Sequence, residues 1–264
     1  MNEPSSKWPP SKIDEVLGMI GAGQSQPRYG LADGIEIVIK TQKFTGQKKT
    51  LPREFFVGLL AKEVECPVPE MAVLKLPNNH PYNTPLVPPL RSEYVFVTKR
   101  MRGKQWLRRQ PNLELISKTE NKAAFTAMLV LDMWTWNGDR FEDGNTFFEE
   151  IRDGVYRVVA VDQGNCLVNS RDEFFNATDR RPKDQFDCNW VPSFLPEVDY
   201  KSLPHLFSRL GKVSVEKIND AIDAVRSDWE MSPQDRAFTK SFLFERAEHL
   251  SVHGMEEIEK LEKS

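Results

Sequence analysis

The sequence is poor in the residues from which disulfide frameworks, zinc sites and membrane spans are built. It has three cysteines and four histidines in 264 residues. Cys66, Cys166 and Cys188 stand too far apart for a metal-binding motif or a disulfide framework, as is typical of a reducing compartment. No apolar run reaches transmembrane length, and the N-terminal stretch lacks the apolar core of a signal peptide. We therefore expect a cytoplasmic protein with no membrane partner.

An excess of either charge is also lacking. Lys and Arg number 36 and Asp and Glu number 39, which gives a net charge of −3. Charge alone therefore makes no case for nucleic-acid binding, and we expect no strong interaction of that kind. The basic run 99–110 is a local exception. It contacts nucleic acid or an acidic substrate, or it serves as a solvated connector to the helical half of the chain, and we favour the connector.

The order of turn, strand and helix patterns predicts two regions, the first mixed α and β and the second mainly helical. The first has a glycine-containing loop (GAGQSQ), a hairpin turn at Asp33-Gly34, a β-branched strand ending on Lys40, a helix over 51–65 and two further strands. The stretch 12–20 fits either a short helix or a strand. The first half is therefore predicted to be a small α+β unit.

The second half is mainly helical. A helix is predicted over 112–136, then a strand hairpin with a turn at Asp153-Gly154. Three helical patterns close the chain, over 200–210, 214–229 and 232–260, the last two with serine N-caps. We therefore expect an α+β, two-lobed protein. Its expected parts are a flexible lead over 1–11, a β-rich N-lobe over 12–102 and a helical C-lobe over 103–264.

Polar clusters interrupt the apolar runs of the second half, one from Asp139 to Asn145 and one beginning at Asp162. Phosphoryl transfer to a hydroxyl needs an acid that takes or orients the hydroxyl proton, and oxygen ligands for Mg²⁺. Because a predicted hairpin joins the clusters, the second acid returns to the first. The sequence therefore predicts that the acids at these strand ends hold metal and substrate.

A matching pattern occurs in the first half, where a glycine-containing loop and a strand ending on Lys40 precede a helix that carries Glu54. Backbone N–H groups of such a loop can approach phosphates. A strand lysine can pair with the phosphates, and a helix glutamate can hold that lysine. Alone, the pattern favours a surface turn beside a solvated lysine, but together with the acidic clusters it indicates ATP handling.

These segments, in this order, resemble the HipA-like kinase family within the wider protein-kinase and phosphoinositide-kinase fold. GQSQPRYGLADGIEIVIKT resembles the family's Gly-rich loop and ATP-contacting strand, and REFFVGLLAKEVECPVPE the helix that follows. NGDRFEDGNTFF resembles its catalytic loop, and VAVDQGN its metal-binding segment. The resemblance covers about residues 18–222. It implies a free-standing kinase-like domain that uses ATP and Mg²⁺ and phosphorylates a Ser or Thr hydroxyl of a protein.

The resemblance also implies roles in the catalytic loop and metal segment. Asp139 would be the catalytic acid, and Asn145 and Asp162 would bind Mg²⁺. The spacing from Asp139 to Asn145 is one residue longer than the usual pattern, which makes Asp143 an alternative acid at the site. No histidine flanks Asp139, so the loop needs another brace, and Arg140 paired with a neighbouring acid is the candidate.

In the first half, the resemblance implies that Lys40 contacts the ATP phosphates. Glu54 is the candidate partner of this lysine, with Glu63 and Glu65 as competitors on the same helix. The remaining ATP contacts would come from the Gly-rich loop, from Gly23, Gln24, Ser25 and Gln26.

Regulation, partners and activity are further implications of the resemblance. A serine of this loop can be autophosphorylated in the family, so Ser25 is either such a control site or a simple turn former. Relatives act in toxin–antitoxin systems, which makes a separate antitoxin-like protein an expected partner beside ATP and a protein substrate. A pseudokinase is the alternative that the long spacing and Gln163 favour. A lipid or small-molecule kinase is a further alternative, although no lipid-facing segment is present.

Overall fold

The computed structural model describes most of the chain, namely residues 7–20, 27–41, 50–80, 92–106, 113–140, 144–168, 180–186 and 195–263. Several predicted site residues lie outside these ranges: Gly23, Gln24, Ser25, Gln26 and Asp143. Their roles stay predictions. Within the described residues the protein has a mixed α and β architecture.

A five-stranded antiparallel sheet forms the first region. Its strands lie in the order β1-β2-β3-β5-β4. Their bounds are β1 Glu15–Met19, β2 Arg28–Ala32, β3 Ile35–Lys40, β4 Met71–Lys75 and β5 Tyr94–Lys99. The stretch that fitted either a helix or a strand is therefore the strand β1.

Alternation along β3 determines where Lys40 lies. Ile35, Ile37 and Ile39 are buried in the core of the sheet, and the residues between them are half-buried on the other face. The predicted turn before β3 is confirmed, since Asp33 and Gly34 have φ of 46° and 75° and join β2 to β3. Positive φ at both positions is the requirement of a type I′ hairpin turn. The hairpin register thus directs Lys40 away from the isoleucine face.

The helix predicted over 51–65 is α1, Thr50–Leu60, continued by a short 3₁₀ helix, Ala61–Val64. Glu65 ends it with a left-handed φ of 59°. The buried face of α1 includes Phe56, Val57 and Leu60, which join the main hydrophobic core. That packing holds the polar residues Arg53 and Glu54 at fixed positions near the sheet.

A second, three-stranded sheet has the order β6-β7-β8. Its strands are β6 Gly103–Gln105, β7 Thr146–Arg152 and β8 Val155–Ala160. The turn predicted at Asp153-Gly154 is confirmed, with φ of 65° at the glycine. This hairpin brings the residues before β7 next to those after β8, as the sequence predicted.

The prediction of a single helix over 112–136 is wrong. The structure has α2, Leu113–Ser117, and α3, Ala123–Thr135, separated by a segment that pairs with β8. Thr119 forms a parallel bridge with Tyr156, and the Asn121 side chain exchanges two hydrogen bonds with the Val158 backbone, at 2.8 and 2.9 Å. These bonds satisfy the polar groups of β8, which a continuous helix would leave unpaired.

The helices at the end of the chain are α4 Leu203–Leu210, α5 Val215–Asp223 and α6 Pro233–Lys263. Both predicted N-caps are confirmed: Ser214 accepts from Lys217 N at 3.3 Å, and Ser232 accepts from Asp235 N at 3.0 Å. The expected extension of α5 to Trp229 is wrong, because this buried indole instead donates to the carbonyl of Tyr94 at 3.1 Å.

Helix α3 lies at the centre of the main core, and its residues from Ala124 to Thr135 are buried. A helix surrounded on all sides is mostly apolar around its circumference, and the buried Asp132 of α3 is paired with Arg140. The described helices include none that is both long enough and apolar enough to cross a membrane.

Candidate active site

Lys40, Glu54 and Asp162 meet between the five-stranded sheet and the end of β8. The Lys40 Nζ lies 2.8 and 2.9 Å from the two Glu54 carboxylate oxygens and 3.3 Å from Asp162 Oδ1. The side chains of Lys40 and Glu54 are 12% and 7% exposed, whereas that of Asp162 is 44% exposed. A buried lysine thus joins a buried acid on α1 to a half-buried acid, Asp162.

The competing acids of α1 have other partners. Glu63 accepts from Lys217 at 2.6 Å, and Glu65 accepts from Arg209 at 2.6 Å. Both partners belong to the helices α4 and α5, so these ion pairs attach the end of α1 to the helical region. The structure therefore places Glu54, and neither competitor, beside Lys40.

The protonation of this cluster follows from its burial and its charges. Burial raises the pKa of Glu54 to about 7; the charge of Lys40 opposes this rise, and the charge of Asp162 adds to it. Burial would lower the pKa of Lys40, but the charges of Asp162 and Glu54 outweigh it and raise this pKa. Burial would raise the pKa of Asp162, but Lys40 and the surrounding hydrogen bonds keep it below its ordinary value. Lys40 and Asp162 are therefore ionised at neutral pH, and Glu54 titrates near neutrality.

Glu54→Gln should remove a pH dependence of stability. Folding raises the pKa of Glu54 from 4.5 to about 7, so the folded state binds its proton more tightly and loses stability as the pH rises between these values. Glutamine stays neutral. The free energy of unfolding of the variant, minus that of wild type, should therefore rise by up to about 3 kcal/mol between these two pH values and stay constant above them.

Urea unfolding at several pH values from about 5 to about 8 measures this difference, with Glu65→Gln as an exposed control. Parallel curves for wild type and Glu54→Gln would contradict the prediction.

The Asp139 carboxylate is held by two asparagine amides. Asn145 Nδ2 donates to Asp139 Oδ2 at 2.9 Å and to its carbonyl at 2.7 Å, and Asn165 Nδ2 also donates to Oδ2. The Asp139 N–H donates to Asn137 Oδ1 at 3.1 Å. Both amides act on one oxygen, so they fix the carboxylate orientation and leave Oδ1 as the oxygen for a further donor. No pattern in the sequence predicts this role for Asn165, although the residue is the last one of the segment VAVDQGN.

Arg140 braces the loop, as predicted, and its partner is Asp132. The two side chains are fully buried, with Nε and Nη2 of the arginine at 3.0 and 2.9 Å from the Asp132 oxygens. Nη1 donates to the carbonyls of Asn145 and Val161, both at 2.8 Å, and Nη2 also donates to Gln163 Oε1. One guanidinium therefore ties the Asp139 loop and the Asp162 segment to helix α3.

Arg53 fixes the Asp162 segment from the other side. This fully buried residue of α1 donates from Nε to the Gly164 carbonyl at 2.7 Å. A Cβ on Gly164 would lie 3.0 Å from the Thr50 Cβ, so the close approach of this segment to α1 favours glycine. Asp162 itself has a left-handed φ of 55°, an uncommon conformation for a residue with a side chain. The backbone around Asp162 is thus held in one conformation by contacts on two sides.

A cavity of about 920 Å³ opens in front of these residues. Its described lining includes Lys40, Glu54 and Asp162, apolar groups such as Val38 and Phe147, and the basic residues Lys99, Arg100, Arg102 and Lys104. The volume falls within the range of small-molecule and cofactor sites. Basic residues of the run 99–110 therefore form part of the cavity lining. Two of them also have acidic partners, since Lys99 pairs with Glu70 at 2.9 Å and Arg100 pairs with Glu36 at 3.1 Å.

Two donor groups fit a magnesium–phosphate complex, one from Asp162 in the cavity lining and one from Asn145, which follows the lining residue Gly144. Asp162 offers a carboxylate and Asn145 an amide oxygen, and Mg²⁺ is commonly bound by one or two such protein ligands together with substrate phosphates. Within the described ranges, no group of three or more His, Cys, Asp or Glu side chains forms a metal site of its own. A pair of oxygen donors such as Asp162 and Asn145 fits a metal that is also bound by the phosphates of a ligand.

Comparisons with known proteins agree on a kinase-like fold. A family model described as HipA-like kinase matches residues 13–253. The crystal structure of the Helicobacter pylori proinflammatory kinase CtkA is 17% identical with a TM-score of 0.61, covering 95% of this chain and 96% of its own. HipA from Shewanella oneidensis, solved in complex with HipB and operator DNA, is 11% identical with a TM-score of 0.50, covering 99% of this chain and 70% of its own. No curated protein matches the sequence.

Proposed function

Because the chain belongs to the HipA-like kinase family, we propose that it is an ATP-dependent kinase that phosphorylates Ser or Thr hydroxyls of a protein. The observation that carries this proposal is the meeting of Lys40, Glu54 and Asp162 at one cavity. Asp139 is linked to them through Asn145, which donates to its carboxylate and accepts at 3.0 Å from the N–H of Val161, the residue before Asp162. The proposed lobes are the sheet-rich part over 12–102 and the helical part over 103–264. The described end of the lead predicted over 1–11 is held in place, since Trp8 packs against the core of the five-stranded sheet and the Ser11 hydroxyl donates to Asp33 at 2.8 Å.

On the nucleotide side, Glu54 would hold Lys40 so that its ammonium faces the phosphates of ATP. Asp162 and the Oδ1 of Asn145 would bind Mg²⁺, which would neutralise phosphate charge when it is bound. Arg140 fixes the backbones of both candidate ligand segments, since it donates to the carbonyls of Asn145 and Val161. The site is therefore prepared before the nucleotide arrives, which lowers the reorganisation needed for transfer.

On the acceptor side, Asp139 would orient the attacking hydroxyl and accept its proton through Oδ1. The amides of Asn145 and Asn165 occupy Oδ2, so the carboxylate cannot rotate without losing two hydrogen bonds. A fixed base within hydrogen-bond reach of the nucleophile is the geometry that general base catalysis requires. Asp143 remains the alternative acid of this loop.

We also propose regulation and a partner. Phosphorylation of Ser25 would add negative charge to a loop expected to bind phosphates, and like charges would weaken ATP binding. The HipA structure was solved with HipB and operator DNA. A separate antitoxin-like protein is accordingly a proposed partner of this chain.

Lys40→Ala and Asp162→Asn should each weaken binding of ATP·Mg²⁺. Each change removes a charged contact to the phosphates or to the metal, and such contacts typically change affinity by about 10- to 100-fold. Isothermal titration calorimetry measures the Kd. Lys75→Ala is the matched control, because this exposed lysine of β4 pairs with Glu93 at 3.0 Å and does not line the cavity. Unchanged affinity in both site variants would overturn the proposed nucleotide site.

The transfer itself is tested by intact-protein mass spectrometry after incubation with ATP and Mg²⁺. Wild type should gain the mass of a phosphoryl group, and Asp162→Asn should not. Peptide mapping then shows whether Ser25 carries the group. ATP binding without transfer to the protein itself or to any supplied protein would instead favour a nucleotide-binding pseudokinase.

A further inference from the structure

A pair of histidines lies on helix α6 and does not belong to the lining of the active-site cavity. His249 and His253 are four residues apart, so they share one face of the helix. Their ring centroids are 4.8 Å apart, with the ring planes inclined by 32°. The two side chains are 15% and 46% exposed, so both rings reach solvent. The pair is therefore an accessible cluster of two imidazoles that the proposed function does not use.

One nitrogen of each ring is held by a carboxylate. His249 Nε2 lies 3.0 Å from Glu257 Oε1, and His253 Nδ1 lies 3.3 Å from Glu256 Oε2. A carboxylate only accepts hydrogen bonds, so each of these ring nitrogens is the donor, and the lone pair of the neutral ring is on the other nitrogen. Within the part of the chain that the structure describes, no hydrogen bond occupies Nδ1 of His249 or Nε2 of His253.

The acid behind His249 is itself fixed by other donors. Glu257 is 3% exposed and accepts from Arg246 at 2.9 and 2.8 Å and from the N–H of Phe186 at 3.2 Å. A buried carboxylate with these partners holds one orientation, and it therefore holds the imidazole of His249 in one orientation as well. Histidines that bind metals typically donate their second ring nitrogen to a carboxylate in this way, which sets both the tautomer and the ring direction.

The spacing of the two rings suits a single metal ion. Two histidines at positions i and i+4 of a helix lie on one face and can bind the same ion. Imidazoles that bind one tetrahedral ion at about 2.0–2.1 Å have ring centres roughly 5 Å apart. The observed separation of 4.8 Å matches this value. Among the described residues, no third His, Cys, Asp or Glu completes a metal-binding group here, so water would fill the remaining positions of the ion.

We propose that His249 and His253 bind a divalent transition-metal ion such as Zn²⁺, through Nδ1 of the first residue and Nε2 of the second. Imidazole nitrogens suit Zn²⁺, Ni²⁺ and Cu²⁺, whereas Mg²⁺ takes oxygen ligands. The site is therefore distinct in its chemistry from the magnesium site proposed at Asp162 and Asn145. The inference goes beyond the proposed kinase function and does not depend on it.

Isothermal titration calorimetry of the full chain with Zn²⁺ tests the inference, in a buffer that binds no metal and with Mg²⁺ in excess. Wild type should bind the ion, and His249→Ala and His253→Ala should each weaken binding by at least about 10-fold, because even the loss of a ligand's hydrogen-bond partner costs about 10- to 100-fold. His253 is 46% exposed, so His253→Ala should fold as wild type does, which far-UV circular dichroism checks. His205→Ala is the matched control, an exposed histidine of α4, and should bind Zn²⁺ as wild type does.

Three results would overturn the inference. The first is a Kd for Zn²⁺ that is the same in wild type and in both histidine variants. The second is loss of Zn²⁺ binding in Asp162→Asn, which would place the ion at the proposed active site. The third is a thiolate-to-metal charge-transfer band in the absorption spectrum with Co²⁺, which would assign the ion to a cysteine, whereas two imidazoles and water give no such band.

Discussion

Asp139→Asn should lower the rate of phosphoryl transfer by about 10²- to 10⁴-fold and change the affinity for ATP·Mg²⁺ little. The physical reason lies in the two amides on Asp139 Oδ2. Both are donors, so they would select the carboxamide oxygen of the new asparagine in place of Oδ2. Its NH₂ group would then take the place of Oδ1, and an amide nitrogen donates but cannot accept the proton of a hydroxyl.

The measurement is transfer of a phosphoryl group by mass spectrometry under single-turnover conditions, with the Kd for ATP·Mg²⁺ taken in parallel. Asp143→Asn is the comparison, because Asp143 is the alternative acid in the same loop. Full transfer by Asp139→Asn together with loss in Asp143→Asn would move the catalytic role to Asp143. Loss of both transfer and nucleotide binding in Asp139→Asn would show instead that this residue supports the nucleotide site.

Arg140→Ala should lower the free energy of unfolding by about 3–5 kcal/mol, the cost of leaving one member of a buried ion pair alone. Asp132 is fully buried, and burial raises its pKa against the opposing charge of Arg140. Without the guanidinium, this carboxylate loses two hydrogen bonds and the carbonyls of Asn145 and Val161 lose a donor. Unsatisfied buried polar groups of this kind are costly in themselves.

Urea unfolding of wild type and variant measures this loss. Lys118→Ala is the control, since its ion pair with Glu114 is exposed, at 46% and 76%, and its loss should cost less than about 1 kcal/mol. The double variant Arg140→Met with Asp132→Leu should lose less stability than Arg140→Ala, because no buried charge is left unpaired. A loss below about 1 kcal/mol in Arg140→Ala would contradict the role of this pair as the brace of the loop.

The parts of the fold that the sequence predicted are those set by local chemistry. The turns at Asp33-Gly34 and Asp153-Gly154 were predicted because few residue pairs adopt the positive φ values of tight hairpins. The strand ending on Lys40 was predicted from alternation, and the N-caps of α5 and α6 from serines before apolar periodicity. Each of these signals lies within a few residues of the structure that it determines.

The two wrong helix predictions depend instead on contacts between distant parts of the chain. The helix predicted over 112–136 is broken because Thr119 and Asn121 bond to β8, more than thirty residues further along the chain. Helix α5 ends early because Trp229 bonds to Tyr94 of β5. Helical propensity alone contains no information about these partners.

The candidate site shows the same contrast between what local sequence patterns predict and what contacts between distant residues decide. The order of loop, lysine strand, helix and acidic clusters was enough to predict a HipA-like kinase, and the family match agrees. The sequence could not choose among Glu54, Glu63 and Glu65, because all three lie on one helix or its end. The choice follows from packing, since the helices α4 and α5 bring Arg209 and Lys217 to the competing acids.

Asp132 had no signal in the sequence that marked it as part of the site, and Arg53 and Asn165 lie in segments that resemble the family without a pattern that gives them a role. In the sequence, Asp132 is a single polar residue in an apolar helix. Its partner Arg140 reaches it only because the loop folds back onto α3. The sequence by itself therefore determined the tight turns, the strand that ends on Lys40, the N-caps, the chemical groups and the family. The tertiary structure decided which charges pair, because the pairing energy of buried ions depends on distances and burial that exist only after the chain has folded.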